Sequence, residues 1–254
     1  MVGTFHPPLE EYLETIYALE EEGSRVIQAR LAERLGHSAP SVSETVRRLR
    51  DEGWVEIDHR SVTFTSRGRE RAESVVRRHR LAERLLTDVI GLPWHDAHRE
   101  AGRWEHVISD DVEARLVDLL GHPTTCPHGN PIPGSGGTRT PQTALAGVET
   151  GARVRVERVT EVVEADPDSM KYLSVHGIMP GCKATLAERA PDGTITLKIG
   201  TLRVALGAVL ARQIYVSNGS SGPGKARRGS GRAAGNDTAR RAKPPQRAIR
   251  DRIG

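Results

Sequence analysis

The chain has little of three features that would place it in other classes of protein. Its 254 residues include two cysteines, too few for a disulfide framework, so a reducing cytoplasm is the expected location. No apolar run approaches the roughly 18 residues that a membrane span needs, and the first residues lack the apolar core of a secretion signal. Aromatic residues make up 4% of the chain, which argues against stacking surfaces for single-stranded nucleic acid. We therefore expect neither a membrane protein nor a secreted one.

Basic charge is concentrated at the C-terminal end. Residues 217–254 hold ten Lys and Arg against two Asp, so the rest of the chain is acidic, with 27 basic and 31 acidic residues. This segment is rich in Gly, Ser, Pro and Arg and has almost no large apolar side chains, which predicts a disordered basic tail. Such a tail either raises nonspecific DNA affinity by counterion release or is a solvated segment without a role.

Residues 1–74 have the pattern of a winged helix-turn-helix DNA-binding domain. Apolar residues at helical spacing predict one helix over 9–22 and a second over 27–35. Ser38 is suited to cap a third helix, and alternating apolar residues over 55–64 predict a β-hairpin. The order helix, helix, tight turn, helix, hairpin is typical of this fold, in which the third helix enters the major groove.

The predicted third helix has a surface suited to DNA. It begins with small and hydroxyl-bearing residues that allow close approach, and arginines that can contact phosphates follow. A three-helix bundle with another role would need neither feature. The residues predicted to contact DNA are Arg30, Ser38, Ala39, Pro40, Ser41, Ser43, Glu44, Arg47, Arg48 and Arg60.

The rest of the chain predicts two further domains, so the fold class is mainly α with β additions. Two longer helices are predicted within 68–121, the second from about 96 to 119, and 75–140 is assigned to a helical dimerisation and metal-binding domain. Its large apolar surface suggests a dimer interface, since a two-fold protein doubles its DNA contacts. Gly and Pro over 126–143 predict a linker. Short alternating runs predict a small β-barrel or sandwich over 141–216.

Histidine and carboxylate residues recur on single faces of the two predicted helices. The residues concerned are His79, Glu83, His98, Gly102, Glu105 and His106, together with Glu11 and Glu14 on the first helix. Imidazole and carboxylate are donors for Mn, Fe, Co, Ni and Zn, so two helices that offer such faces can build one or two metal sites. A single pair of this kind would indicate only a solvated surface.

Six segments of the chain carry a specific resemblance to one protein family. They are YLETIYALEEEG, ARLAERL, PSVSETV, RRHRLAERLLTDVIGL, RWEHVISDDVEARL and HGNPIPG. They resemble the diphtheria-toxin-repressor or iron-dependent-regulator family, which includes manganese transport regulators. The resemblance is dense from about 11 to 134 and weaker over 150–216. It implies a winged-helix domain, a helical dimerisation domain and a C-terminal SH3-like, FeoA-like domain, in a divalent-metal-activated repressor that binds palindromic operators as a homodimer.

The resemblance implies a primary metal site at four positions. Iron regulators of the family use a Met, a Cys, a Glu and a His there, and this chain has Glu11, Gly102, Glu105 and His106, so both sulfur donors are absent. Manganese regulators have one carboxylate before the Tyr of the first helix and another three residues on, as Glu11 and Glu14 are here. Gly102 fits neither pattern and can offer only its backbone carbonyl or leave room for a water.

The resemblance also implies an ancillary site, formed by His79, Glu83 and His98 and completed by two residues of the SH3-like domain. Matching TEVVEAD to that domain gives Glu161 and Glu164.

Hard oxygen donors favour Mn²⁺ by type, so Mn²⁺ is the expected cofactor. Fe²⁺ is the alternative, because the flanking sequence resembles iron regulators, and Co²⁺, Ni²⁺ or Zn²⁺ can substitute in vitro. A degraded primary site, with only the ancillary site left, is the third possibility.

Two other functional classes stay open. A metalloenzyme would use the same His and Glu residues, but no activated-water motif such as H-E-x-x-H is present, so we expect no enzyme activity and no small-molecule substrate. A metal-independent winged-helix regulator would sense a partner through its SH3-like domain, and Gly102 supports this alternative.

The predicted DNA-contact residue Glu44 bears on the operator sequence. Iron regulators of the family carry Gln at its position, so we expect an operator that differs from the iron-box type.

Overall fold

The computed structural model describes residues 7–137 and 141–219, and it has the mainly helical architecture with a C-terminal β-domain that the sequence predicts. Of the predicted basic tail, residues 220–254 lie outside the described part, whereas Ser217 and Asn218 belong to the last strand of the β-domain. No helix within the described ranges is long and apolar enough to cross a membrane.

The N-terminal elements follow the predicted order. They are α1 (Pro7–Glu21), α2 (Gln28–Leu35), α3 (Ala39–Asp51), β1 (Val55–Asp58) and β2 (Ser61–Phe64). Gly36 ends α2 with a φ of 66°, a backbone conformation that favours glycine. The Ser38 hydroxyl caps α3 by accepting a hydrogen bond from the Ser41 amide at 3.4 Å. The two strands pair antiparallel with Ile57 opposite Val62, which completes the winged helix-turn-helix.

The buried face of α3 determines which of its residues remain for contacts outside the domain. Val42, Val46 and Leu49 are fully buried in one apolar cluster with residues of α1 and the hairpin. They lie at i, i+4 and i+7, the spacing of a single helix face. Glu44 and Arg47, on other faces of α3, are exposed.

The central elements differ from the prediction at one place. They are α4 (Ser66–Arg84), a π-helical segment (Leu85–Ile90), α5 (Ala97–Trp104) and α6 (Asp110–Leu119). The prediction of one continuous helix over 96–119 is wrong, because the chain forms two helices there. Ser109 begins the second of them, since its hydroxyl accepts a hydrogen bond from the Val112 amide at 3.4 Å. Glu105 and His106 therefore lie in the connection that follows α5.

Helix α4 joins the two helical parts of the chain. It is continuous across the predicted domain boundary between residues 74 and 75. Ala72 packs in the apolar cluster of the DNA-binding elements, whereas Leu81 and Ala82 pack in a second cluster with residues of α5 and α6. One rigid helix thus contributes to both apolar cores.

The C-terminal part is an antiparallel sheet with short helices. Its elements are β3 (Thr143–Ala144), β4 (Arg153–Val159), α7 (Glu161–Glu164), α8 (Pro167–Val175), β5 (Lys183–Arg189), β6 (Ile195–Ile199), β7 (Leu202–Leu206), α9 (Ala208–Gln213) and β8 (Ile214–Asn218). The strand order is β3-β8-β4-β5-β6-β7, and Val154 and Val156 of β4 share its core with Met170 of α8. The sequence pattern predicts the β-domain but not its helices.

The linker prediction is wrong where the Gly- and Pro-rich stretch begins. Residues 126–130 are all buried, and the Val159 amide of β4 donates to the His128 carbonyl at 3.0 Å. Gly129 permits this approach, because its φ is +91° and a Cβ there would lie 1.9 Å from the Glu157 carbonyl oxygen. Glycine in this stretch therefore serves close packing against the β-domain.

Gly68 and Gly102 provide a matched test of packing, since each lies within a helix. A Cβ at Gly68 would lie 1.7 Å from the Trp54 carbonyl oxygen, whereas a Cβ at Gly102 would have nothing within 4 Å. We expect Gly68→Ala to lower the free energy of unfolding by about 1–3 kcal/mol through overpacking. Gly102→Ala should raise it by about 1 kcal/mol through helix propensity. Denaturant unfolding with chelator present measures both, and effects of the same sign would contradict this packing.

Candidate metal centre

A cavity of about 330 Å³ lies where α1, α4 and α5 meet. Its walls are built mostly of carboxylate and imidazole groups. The lining residues are Glu11, Glu14, His79, His98, Arg99, Gly102, Glu105 and His106. All the residues predicted for the primary site are among them, together with two of those predicted for the ancillary site. The structure thus brings the two predicted sets next to each other.

His79, predicted for the ancillary site, contacts residues of both predicted sets. Its Nδ1 lies against the Glu105 carboxylate and 3.5 Å from Oε1 of Glu14. Its Nε2 lies 3.1 Å from Oε1 of Glu83 and 2.9 Å from Nδ1 of His98. His79 and Glu83 project from one face of α4 because they are four residues apart. One buried imidazole is therefore shared by carboxylates from α1, from α4 and from the end of α5.

A second group of donor atoms surrounds Glu83. Its Oε1 lies 3.1 Å from Nδ1 of His128 and 3.3 Å from Nδ1 of His98. Oε2 of Glu164, from α7, lies 3.2 Å from the same His98 atom and 3.3 Å from the same His128 atom. Cys126 joins this group, since one donor atom each of Glu83, Cys126 and His128 lie within 4.8 Å of one another.

Cys126 and His128 are site residues that the sequence pattern did not single out. Both are buried, and a single proline separates them in the chain. A Cys and a His two residues apart are donor types for softer divalent ions, so a signal was present. The Gly- and Pro-rich surroundings favoured a linker instead, because composition alone does not reveal that this stretch packs against β4.

Glu10, next to the predicted ligand Glu11, holds the histidine of the predicted primary site. Oε2 of Glu10 lies 2.6 Å from Nδ1 of His106, and Arg71 pairs with the same carboxylate. Glu11 is exposed on the cavity wall, whereas Glu105 is buried, with Oε1 3.2 Å from Nε2 of His106. Glu10 thus orients His106 from α1, a role that the sequence pattern did not indicate.

Glu161 and Glu164, predicted as a pair of ancillary ligands, have different surroundings. Glu164 lies beside His98 and His128 in the second donor group. Glu161 instead lies with Oε1 2.7 Å from Nη2 of Arg80. The structure therefore brings one of the two carboxylates to the donor group and the other to a buried arginine.

The donor atoms fit a divalent cation. Oε1 of Glu14 and Oε2 of Glu83 are buried and have no hydrogen-bond partner among the described residues, an arrangement that costs free energy. Carboxylate, imidazole and thiol are the donors that Mn, Fe, Co, Ni and Zn accept. Gly102 leaves open volume beside them, because a Cβ there would have no atom within 4 Å. The residues present thus suit the metal that the family resemblance implies.

The cluster binds protons at neutral pH when no metal is bound. Burial, reinforced by the Glu105 carboxylate, raises the pKa of Glu14 to about 8. Burial disfavours the charged form of His98, but hydrogen bonds to Glu164 and Glu83 outweigh it and raise the pKa of His98 to about 9. Metal binding at these atoms therefore competes with protons.

The residues predicted to contact DNA lie on the surface of the winged-helix elements. All are exposed except Ser43, which is half-buried. Arg48 pairs with Glu52 at 2.8 Å, whereas Arg47 makes no ion pair within the described ranges. The exposed members are Arg30, Ser38, Ala39, Pro40, Ser41, Glu44, Arg47, Arg48 and Arg60.

We expect the metal-free protein to lose stability as the pH rises from 6.5 to 9. Glu14 and His98 have pKa values of about 8 and about 9 in the folded protein, above their ordinary values of 4.5 and 6.5. Each group stabilises the fold fully below its ordinary pKa and loses that contribution as the pH rises through its folded value. Denaturant unfolding in chelator measures the slope, and Glu14→Gln should flatten it. An unfolding free energy that is constant or rises over this range would contradict the assignment.

Three family descriptions match successive parts of the chain. The N-terminal DNA binding domain of iron dependent repressors matches residues 4–62, and their metal binding and dimerisation domain matches 65–134. The FeoA domain matches 143–218. Together these ranges include every helix and strand from α1 to β8, apart from the last two residues of β2.

Curated proteins and solved structures agree with this match. The chain is 44% identical over 220 residues to the iron-dependent repressor IdeR of Mycobacterium tuberculosis, covering 82% of this chain and 95% of the relative. It is 42% identical over 217 residues to the diphtheria toxin repressor of Corynebacterium diphtheriae, with coverage of 82% and 95%. A solved manganese-dependent transcriptional repressor in complex with manganese is similar with a TM-score of 0.75 and 35% identity, over 83% of this chain and 99% of that one. The chain belongs to the iron-dependent repressor family, whose members are metal-dependent transcriptional repressors and not enzymes.

Proposed function

We propose that this protein is a Mn²⁺-activated transcriptional repressor that binds palindromic operator DNA as a homodimer and controls metal homeostasis. The observation that carries the proposal is the origin of the donor residues. They come from α1 of the DNA-binding elements, from α4 and α5, and from the β-domain. Residues that share an ion at this place are tied together across all three parts of the chain.

The donor residues form two neighbouring sets that meet at His79. The first set is Glu11, Glu14, the Gly102 carbonyl, His79, Glu105 and His106. The second set is His79, Glu83, His98, Cys126, His128 and Glu164. When bound, a divalent ion supplies positive charge that balances the buried carboxylates. Glu10 keeps Nδ1 of His106 hydrogen-bonded, which leaves the other side of the ring towards Glu105.

Donor type favours Mn²⁺ at the first set, because its side-chain donors are oxygen and imidazole nitrogen without sulfur. A similar solved repressor is described as a complex with manganese, which supports the same ion here. Fe²⁺ is the second candidate. The Cys126 thiol in the second set suits softer ions, and the relative with 44% identity is named an iron-dependent repressor.

Exposed apolar side chains support the homodimer. Five large ones lie between the end of α4 and the end of α6, within the range matched by the metal binding and dimerisation domain. They are Val89, Ile90, Val107, Val112 and Leu119. Exposed apolar groups concentrated in one region are typical of an interface. A two-fold dimer presents two α3 helices to two half-sites, so the operator we propose is palindromic.

Helix α3 provides the DNA-reading surface in this proposal. Its exposed Glu44 can accept a hydrogen bond from cytosine N4, and its exposed Arg47 can donate to a phosphate or a guanine. Arg48 already pairs with Glu52, so it must exchange that partner to contact the backbone of DNA. The hydroxyls of Ser38 and Ser41 lie at the start of the helix, where close approach is easiest.

Activation follows from the position of α1. Tyr12 of α1 lies with its hydroxyl 3.1 Å from Nδ1 of His37, in the turn that precedes α3. Glu11 and Glu14, on either side of Tyr12, face the cavity that α4 and α5 close. The arrangement in which these carboxylates converge with His79 binds metal best, so metal selects one position of α1 relative to α4. DNA affinity can rise only by the difference in metal affinity between the two arrangements.

DNA selection from a genomic pool tests the proposal under three anaerobic conditions, with chelator, with Mn²⁺ and with Fe²⁺. We expect one palindrome to be enriched only with metal, and at a lower concentration of Mn²⁺ than of Fe²⁺. Glu105→Gln should abolish the enrichment, because it removes a buried charge beside His79. Glu100→Gln is the matched control, since Glu100 lies on α5, the helix just before Glu105, and does not line the cavity.

Three results would contradict the proposal in different ways. Equal enrichment with chelator would mean that metal does not control DNA binding. Enrichment at a lower concentration of Fe²⁺ than of Mn²⁺ would mean that Fe²⁺ is the activating ion. Enrichment of a single half-site would mean that the protein does not recognise its operator as a dimer.

A further inference from the structure

Arg80 is a large, fully buried side chain that belongs to neither donor set. It follows His79 on α4, and its side chain is 1% exposed. A guanidinium keeps its charge at any ordinary pH, so its burial requires partners that supply negative charge. The hydrogen-bond partners of Arg80 therefore indicate which parts of the chain this arginine joins.

The partners of Arg80 come from three separate parts of the chain. Glu21, at the end of α1, accepts from both terminal nitrogens of Arg80, at 2.8 and 3.3 Å. Glu161, at the start of α7, accepts from Nη2 at 2.7 Å. The carbonyl of Pro131 accepts from Nη1. The DNA-binding elements and the β-domain are therefore held by one buried cation on α4.

The geometry of α7 connects this contact to the donor cluster. The helix is a single turn of four residues, and Glu161 and Glu164 are its first and last. Residues three apart lie on the same side of a helix, so the placement of one carboxylate determines the placement of the other. With Glu161 held by Arg80, Oε2 of Glu164 stands 3.2 Å from His98.

We propose that Glu161 is a positioning residue and not a metal ligand. Arg80 holds Glu161 together with Glu21, and this clasp both sets Glu164 in the donor cluster and joins the β-domain to α1. The role of Glu164 rests on the proposed function, whereas the clasp forms without any ion. Glu161 and Glu164 therefore differ in kind, against the expectation from the sequence that both bind metal.

Co²⁺ spectroscopy of the full-length protein separates a ligand from a positioning residue, because its visible bands report the donor atoms. We expect Glu161→Gln to reach the wild-type saturated spectrum and ion count, with an affinity lower by about tenfold. Glu164→Gln is the matched variant on the same helix turn, and it should change the saturated spectrum. A spectrum of Glu161→Gln altered in the same way as that of Glu164→Gln would make Glu161 a ligand and overturn the proposal.

Hydrogen exchange in chelator tests the clasp itself. Glu161→Gln and Glu21→Gln each leave the buried Arg80 with one anionic partner fewer, so each should accelerate amide exchange in α7 and in the last turn of α1 by about tenfold or more. Glu164→Gln should leave exchange in α1 unchanged. Wild-type exchange in the last turn of α1 for Glu161→Gln would overturn the proposal. Failure of the proposed function looks different, since the wild type would then bind no Co²⁺ at the cluster while exchange still reported the clasp.

A triple variant covers the case in which Glu161→Gln does not fold. Arg80→Met combined with Glu21→Gln and Glu161→Gln removes the buried cation together with both of its anions, an exchange that buried ion groups often tolerate. We expect this variant to fold, to keep the wild-type Co²⁺ spectrum and to exchange faster in α7. Exchange at the wild-type rate in α7 would mean that the charges of the clasp hold nothing in place.

Discussion

A buried excess of carboxylate over imidazole is the constraint on which the rest of the structure depends. Four carboxylates, those of Glu14, Glu83, Glu105 and Glu164, are gathered around buried histidines. Removing a charged group from water costs several kcal/mol unless it is paired, and of the histidines around these carboxylates the structure buries two, His79 and His128. The centre therefore needs protons or a cation. Because the four carboxylates come from different elements, whatever satisfies them also holds those elements together.

The helices that bury this centre also contact the elements around α3, the helix that reads DNA in our proposal. Helix α1 carries Glu14 into the cavity and, through Tyr12, touches the turn before α3. Helix α4 carries His79 and Glu83 and is packed into both helical cores. In our proposal, a metal ion bound at the centre therefore selects one position of α1 relative to α4. The contact of Arg80 with Glu21 and Glu161 adds a second, ion-independent tie along the same helices.

Local signals in the sequence were sufficient for much of the fold and for part of the site. Ser38 caps α3 and the spacing of Val42, Val46 and Leu49 forms its buried face, because both features depend on neighbouring residues alone. The helical spacing of His79 and Glu83 likewise places two donors on one side of α4. The resemblance to a known family added the residues on other elements, which no local pattern can bring together.

Other features depended on contacts between distant parts of the chain. Cys126 and His128 reach the donor group only because Gly129 lets their segment pack against β4, and composition indicates a linker there. Glu161 and Glu164 are equivalent in the sequence but have different partners, Arg80 of α4 for Glu161 and His98 of α5 for Glu164. Because these partners lie on distant elements, the local sequence does not distinguish the two glutamates. The break before α6 was readable from the Ser-Asp-Asp start of that helix, but the apolar periodicity on both sides favoured continuity.

The number of protons released when Mn²⁺ binds tests the central claim most directly. Calorimetric titration at neutral pH, in two buffers that differ in ionisation enthalpy, measures this number. The pKa of Glu14 is about 8 and that of His98 is about 9 in the metal-free protein, so both are largely protonated beforehand. We expect at least one proton to be released for each bound ion. Binding without proton release would contradict the claim, because the ion would then lie on surface carboxylates away from the buried cluster.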